Sequence, residues 1–537
     1  MRHIVYGLMF MGLLLGASRV QADEESYTGT LNTRQSSVDY TLNLQAAESV
    51  LMTAETLTGD LDLRLTIKNT LGTTLAENDD RNADSYDPAL GFTASSSGTY
   101  ILTVSQYGND SGTYQLTITQ GDESVLAPLA DLTAINLSGT ERILDTPNFR
   151  IHYTYRGEDA TTEAFAQSVA QAVEYVYQVE ITQLGWPAPM PDGYSGGDSR
   201  MDVYLMDLMD DSGDGAMGLA RPGDQYGDNP NTPEREKYAT STMLRLDNDF
   251  AELEGDRLSP IELMRVTVAH EFHHAVQHGY DANEPMGWYF EATAVWMEQA
   301  VYPKLSSAVY YVESVYDFPE LCFGTADDPD GLQMYGEWMF LQSLADIYGG
   351  NVVQELWVNI ARLNGFAALQ QTLVAHDDDL VNALVRYRLR NIVRDYKQAS
   401  LFENATVWLE DSIHQTGDQI TSGKGVQPLG ANYIQVSPEL GTFRVELADD
   451  GGVLQLWAMG IRGRQAESFA LGRGAVLDSS AYDNLYLMVM NPLYENGVDD
   501  CQYTSYHLNI SPASAGDNLP VEQVWDARWF TSLKRGG

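Results

Sequence analysis

The sequence predicts a multidomain protein: an N-terminal all-β sandwich, a central α+β domain whose second half is mostly helical, and a C-terminal β-sandwich. Three observations carry this expectation. Period-two alternation broken by Gly, Asn and Asp turns fills residues 23–122, helical patterns dominate from about residue 260 to 400, and short strand-like apolar runs return over 401–537. A chain of 537 residues is also too long for one ordinary domain.

Residues 1–22 read as an export signal. Arg2 and His3 precede an apolar run over residues 4–16, and the small-residue end Val20-Gln21-Ala22 comes just before Asp23. No later run approaches the roughly 20 apolar residues of a membrane helix. The expected location is therefore secreted, extracellular or periplasmic, with no membrane span. Net charge is −45, and loss of Arg2 and Arg19 with the signal leaves 76 acidic against 29 basic residues, −47. Such a surface repels phosphates and argues against nucleic acid as a partner. Cys322 and Cys501 allow either one bridge between the central and C-terminal regions or two buried thiols.

Within residues 23–122, the runs 37–42 and 61–66 alternate in the manner of half-buried strands, and the segments 98–104 and 112–118 echo each other in sequence. Together with Asp60-Leu61-Asp62 and Asn78-Asp79-Asp80, they make this segment resemble the bacterial pre-peptidase C-terminal (PPC) domain, a small β-sandwich attached to secreted peptidases. Here the segment precedes the central region, so removal during maturation does not follow from the resemblance. Asp79, Asp80, Asp84 and Asp87 offer hard oxygen ligands for Ca²⁺, against the alternative of a solvated acidic turn without EF-hand ligand order.

A connector is expected over 123–147, followed by the central domain, 148–400. Its elements read as a strand over 149–154, a helix over 162–183, a strand over 201–206, an acidic loop through Asp207, Asp210, Asp211 and Asp214, and a strand over 242–246. That loop is a second calcium candidate, with solvated loop as the plainer reading. Ser259-Pro260-Ile261-Glu262 then signals a helix start, a capping box with proline at the first helical position.

This helix carries His270-Glu271-Phe272-His273-His274, a match to H-E-x-x-H. Residues four apart share one helix face, so His270 and His274 can aim two imidazoles at one Zn²⁺, and Glu271 is placed to take a proton from water. Apolar residues around much of the helix predict burial; the plain alternative is a His-rich core helix. Gln277 and Tyr280 stand where the longer H-E-x-x-H-x-x-G-x-x-H form needs Gly and His, which excludes that class.

The following segment, Gly287-Trp288-Tyr289-Phe290-Glu291-Ala292-Thr293-Ala294, resembles the second metal helix of gluzincins of aminopeptidase type. The resemblance implies a zincin (gluzincin-like) catalytic domain with Glu291 as third ligand. Glu298 is the rival ligand or a partner orienting a histidine. His278 is a further rival, or a cation on the last helical turn. Met334-Tyr335-Gly336-Glu337-Trp338 resembles the stretch supplying a tyrosine to the oxyanion in the same group, which makes Tyr335 the candidate donor, with a packing role as the alternative.

These readings converge on a secreted zinc metallopeptidase, an endopeptidase acting on protein or peptide. The competing classes are a cell-surface adhesion or carbohydrate-binding protein with a degenerate core, and a zinc hydrolase of non-peptide substrates.

Overall fold

The structure, a computed structural model, describes residues 23–59, 61–79, 87–107, 110–129, 135–192, 195–209, 215–223, 226–251, 257–326, 328–494, 501–513 and 522–525. The export-signal reading lies outside these residues, as do Asp80, Asp84, Asp210, Asp211 and Asp214. Two compact units are present: the first runs to Ile135 and also takes in Gly193–Ser199, and the second is built from Asn136–Asp192 and from Arg200 onward.

The first unit is all β: β1 (Asp23–Leu31), β2 (Ser37–Leu44), β3 (Ser49–Thr58), β4 (Asp62–Asn69), β5 (Thr74–Asn78), β6 (Ala89–Thr93), β7 (Gly98–Tyr107) and β8 (Gly112–Gly121). They form two four-stranded antiparallel sheets, β1-β8-β3-β6 and β2-β7-β4-β5. The two echoing segments are not partners. Each is an inner strand of a different sheet, and its inward residues (Leu102 and Val104, Leu116 and Ile118) meet in the shared core. Of the calcium candidates described here, Asp79 lies 3.9 Å from the Arg64 guanidinium, and Asp87 accepts the Thr56 N–H at 2.9 Å.

The second unit begins with a mixed five-stranded sheet. Its strands are β9 (Glu141–Asp145), β10 (Phe149–Thr154), β11 (Met201–Met206), β12 (Gly218–Pro222) and β13 (Thr242–Asp247), in the order β12-β13-β11-β10-β9. The three inner strands are parallel, while β9 and β12 form antiparallel edges. β9 falls inside the stretch that reads as connector. Its largely exposed pattern explains why, since an edge strand with one apolar pair leaves little periodic signal.

Helix α1 (Glu163–Tyr177) is capped by Thr162, whose hydroxyl accepts the Phe165 N–H at 3.1 Å. Its Val169, Val173 and Val176 pack with Ile151, Val203 and Leu244 of the sheet and with Val268, Phe272 and Val276 of α2 (Pro260–His278). After α3 (Gly287–Val301) come α4 (Val312–Asp317), α5 (Gln333–Gly336), α6 (Trp338–Tyr348), α7 (Asn351–Ile360), α8 (Phe366–Val374) and α9 (Leu380–Val393).

The C-terminal part holds a six-stranded and a four-stranded sheet. In the larger one, β14 (Asp411–Ile413) and β16 (Ala431–Val436) are followed in order by β21 (Asn484–Met490), β18 (Gln455–Arg462), β19 (Gln465–Gly472) and β23 (Glu522–Trp525). The smaller one contains β15 (Gln419–Thr421), β22 (Tyr506–Pro512), β17 (Thr442–Asp449) and β20 (Gly474–Asp478). Alternate residues of the larger sheet serve two cores. Ile434, Leu456 and Leu487 face the smaller sheet, whereas Tyr433, Trp457 and Met488 join the core of the helical region. Burial on both faces is why these strands read as apolar runs. A Cys322–Cys501 disulfide, Cα atoms 5.6 Å apart, also links the helical region to the strand-rich part. A bridge of this kind contributes about 2–4 kcal/mol. Among the described residues, no helix is long and apolar enough to cross a membrane.

Candidate metal centre

Helix α2 starts as its sequence requires: the Ser259 N–H and hydroxyl both donate to the Glu262 carboxylate, at 2.9 and 2.7 Å. Further along the same helix, His270 and His274 stand one above the other with ring centroids 4.7 Å apart. Helix α3 brings Glu291 against both. Its Oε2 is 3.1 Å from His270 Nε2 and 3.8 Å from His274 Nε2. Ligand atoms of these three side chains all lie within 4.8 Å of one another, the one such group of three among the described residues. Side-chain exposures of 12%, 12% and 22% leave the cluster reachable from solvent.

The far nitrogens are also held. His270 Nδ1 lies 2.8 Å from Glu298 Oε1, and the Ser307 hydroxyl donates to the other Glu298 oxygen at 2.6 Å. Glu298 therefore sits behind His270 rather than beside both rings. His274 Nδ1 lies 2.7 Å from Gln277 Oε1. Burial pushes the Glu291 carboxyl up, but its bond to His270 and the nearby His274 ring outweigh this and hold it well below the usual carboxylate range.

Glu271 lies next to the edge strand β12. A Cβ on Gly218 would fall 2.7 Å from both Glu271 Cγ and Thr267 Cγ2, so only glycine lets the strand approach this closely. The Ala220 N–H donates to the Glu271 carboxylate, yet burial is the largest influence and raises its pKa.

Tyr335 is stacked between two rings, His270 at 6.1 Å and Tyr311 at 5.2 Å, and its hydroxyl donates to Glu291. Its neighbour Gly336 fits closely under α4: a Cβ there would meet Ser314 Oγ at 2.4 Å and Tyr311 O at 2.7 Å. Two other histidines of α2 lie outside the group of three. His273 is buried 2.8 Å from Glu180. His278 is buried 2.9 Å from the Thr242 hydroxyl, and desolvation pushes its pKa down to about 3. The expectation of a cation on the last turn is thus corrected: His278 is neutral, because loss of hydration outweighs the helix dipole.

The link between the two helices carries buried acids that the sequence reading did not single out. Glu284 accepts the Met286 N–H at 2.9 Å and the Gly365 N–H at 3.1 Å. Burial raises Asp281 to about 6 and Glu284 to about 7. A carboxyl with a raised folded-state pKa binds its proton more tightly when folded. The stability it supports is therefore present below the unfolded pKa and declines as pH rises from about 4 to 7. We expect Glu284→Gln to flatten the fall in melting temperature between pH 5 and 7, an effect on the order of 3 kcal/mol at most. Calorimetry across that range checks it, and an unchanged slope would count against the buried-acid account.

The N-terminal unit is a bacterial pre-peptidase C-terminal domain, with residues 36–106 matching that family. Residues 156–453 match the family of unknown function DUF6055, more than half of the chain, and the protein belongs to that family. The match continues past residue 400 into the C-terminal sheets. Among solved structures, the pre-peptidase C-terminal domain of collagenase from Bacillus anthracis is similar at 21% identity, covering 18% of this chain and 88% of that one, with a TM-score of 0.16. PliG from Aeromonas hydrophila, a periplasmic lysozyme inhibitor, is similar at 15% identity over 19% of this chain and 88% of that one, TM-score 0.14. The IMPa metallopeptidase from Pseudomonas aeruginosa is similar at 11% identity, covering 66% of this chain and 45% of that one, with a TM-score of 0.18. No curated protein matches the sequence.

Proposed function

We propose that this protein is a secreted zinc-dependent endopeptidase with a gluzincin-like catalytic core, in which His270, His274 and Glu291 hold the metal and Glu271 is the general base. The observation that carries this reading is the convergence of two Nε2 atoms and one carboxylate within 4.8 Å, from neighbouring helices, beside a buried acid. Two imidazoles and a carboxylate with solvent access form a donor set suited to a catalytic zinc ion. Bound zinc would polarise the scissile carbonyl and make an attacking water more acidic. Glu271, its pKa raised by burial, accepts the water's proton and returns it to the leaving amine. Tyr335 supplies a hydroxyl to the oxyanion.

β12 is an edge strand beside Glu271, and an extended peptide can add to such an edge through backbone hydrogen bonds. This favours cleavage within a chain. The pre-peptidase domain and the disulfide suit an exported protein. Glu291, close to both rings, favours catalysis over the adhesion reading, which supposes a degenerate core. The direct test is zinc content and casein hydrolysis of the purified protein. We expect one zinc per chain, and activity that a chelator removes and added zinc restores. A protein without metal, or hydrolysis indifferent to the chelator, would overturn the proposal.

A further inference from the structure

Gln277 is fully buried, three residues after His274 on the same face of α2. Its amide bridges two helices. Nε2 lies 3.0 Å from the Phe290 carbonyl oxygen, and Oε1 lies 2.7 Å from His274 Nδ1. A backbone carbonyl can only accept, so the end of the amide facing Phe290 must be the NH₂. The end facing His274 is then the amide oxygen, which also only accepts. His274 Nδ1 must therefore carry the proton, which leaves Nε2, the nitrogen 3.8 Å from Glu291, with the free lone pair.

We propose that Gln277 is a positioning residue that fixes the tautomer and ring plane of His274, using as its anchor the backbone of the helix that carries Glu291. Phe290 immediately precedes Glu291, so one amide ties the orientation of one metal-facing side chain to the placement of another. The two histidines are backed differently: His270 by the Glu298 carboxylate, His274 by a neutral amide. That arrangement supports His274 without adding a further negative charge to a buried site that already holds Glu271, Glu291 and Glu298.

The inference rests on the metal reading above, and its test separates the two. Zinc affinity is measured by competition with a chromophoric chelator, and the visible spectrum of the cobalt-loaded protein is recorded; neither requires turnover. We expect Gln277→Leu and Gln277→Met, which roughly keep the volume but offer Nδ1 no acceptor or only a weak thioether, to weaken zinc binding about 10–100-fold and to change the cobalt bands. Gln277→Glu keeps an acceptor for Nδ1 but has no N–H for the Phe290 carbonyl, so it should bind zinc more tightly than either apolar variant without recovering the parent's cobalt bands. Parent-like affinity and spectrum in either folded apolar variant would overturn the inference while leaving the metal reading intact. A parent protein that binds no zinc would overturn both.

Discussion

Glu271→Gln is expected to leave zinc bound while lowering kcat/KM on a peptide substrate by about 10³-fold, roughly 4 kcal/mol in transition-state stabilisation. Glutamine keeps the size of the side chain and an oxygen for the Ala220 N–H, but it cannot accept a proton from water. Because burial penalises the charged carboxyl, the variant should melt no lower than its parent. Metal analysis, melting temperature and casein hydrolysis on the same preparation check the three parts together. Retained activity with zinc present would refute the assignment of Glu271.

Glu291→Ala should have the second large effect, weakening zinc binding by more than about 100-fold, whereas Glu298→Ala should cost about 10–100-fold. Geometry gives the reason. Glu291 Oε2 faces Nε2 of both histidines, while Glu298 meets one of them, at the outward Nδ1 of His270. Chelator competition on both variants decides between them. If Glu298→Ala lost the metal and Glu291→Ala kept it, the roles of the two carboxylates would be exchanged.

Much of the site was legible because its signals are local. Ser259, Pro260 and Glu262 specify where α2 begins, and the four-residue spacing puts His270 and His274 on one face whatever lies around them. The β-rich character of the N-terminal unit likewise follows from alternation along each strand. By contrast, Gln277 registered in the sequence only as the residue that broke a longer histidine motif. Its bond to Phe290 depends on how two helices pack, and no spacing along one helix encodes that. Asp281 and Glu284 were missed for the same reason: both are buried in the link between α2 and α3, and Glu284 is bonded by the Gly365 N–H, about 80 residues further on.

The order of residues alone determined the helix with its paired imidazoles and adjacent acid, and the succession of β, α+β, helical and β regions, because these depend on contacts within a few residues. Tertiary structure alone decided which carboxylate faces both rings, that His278 is neutral, that Cys322 and Cys501 are joined, and that one face of the larger C-terminal sheet packs into the helical core. Each of these is a relation between segments distant along the chain. Burial, desolvation and hydrogen-bond geometry exist only once the segments have packed.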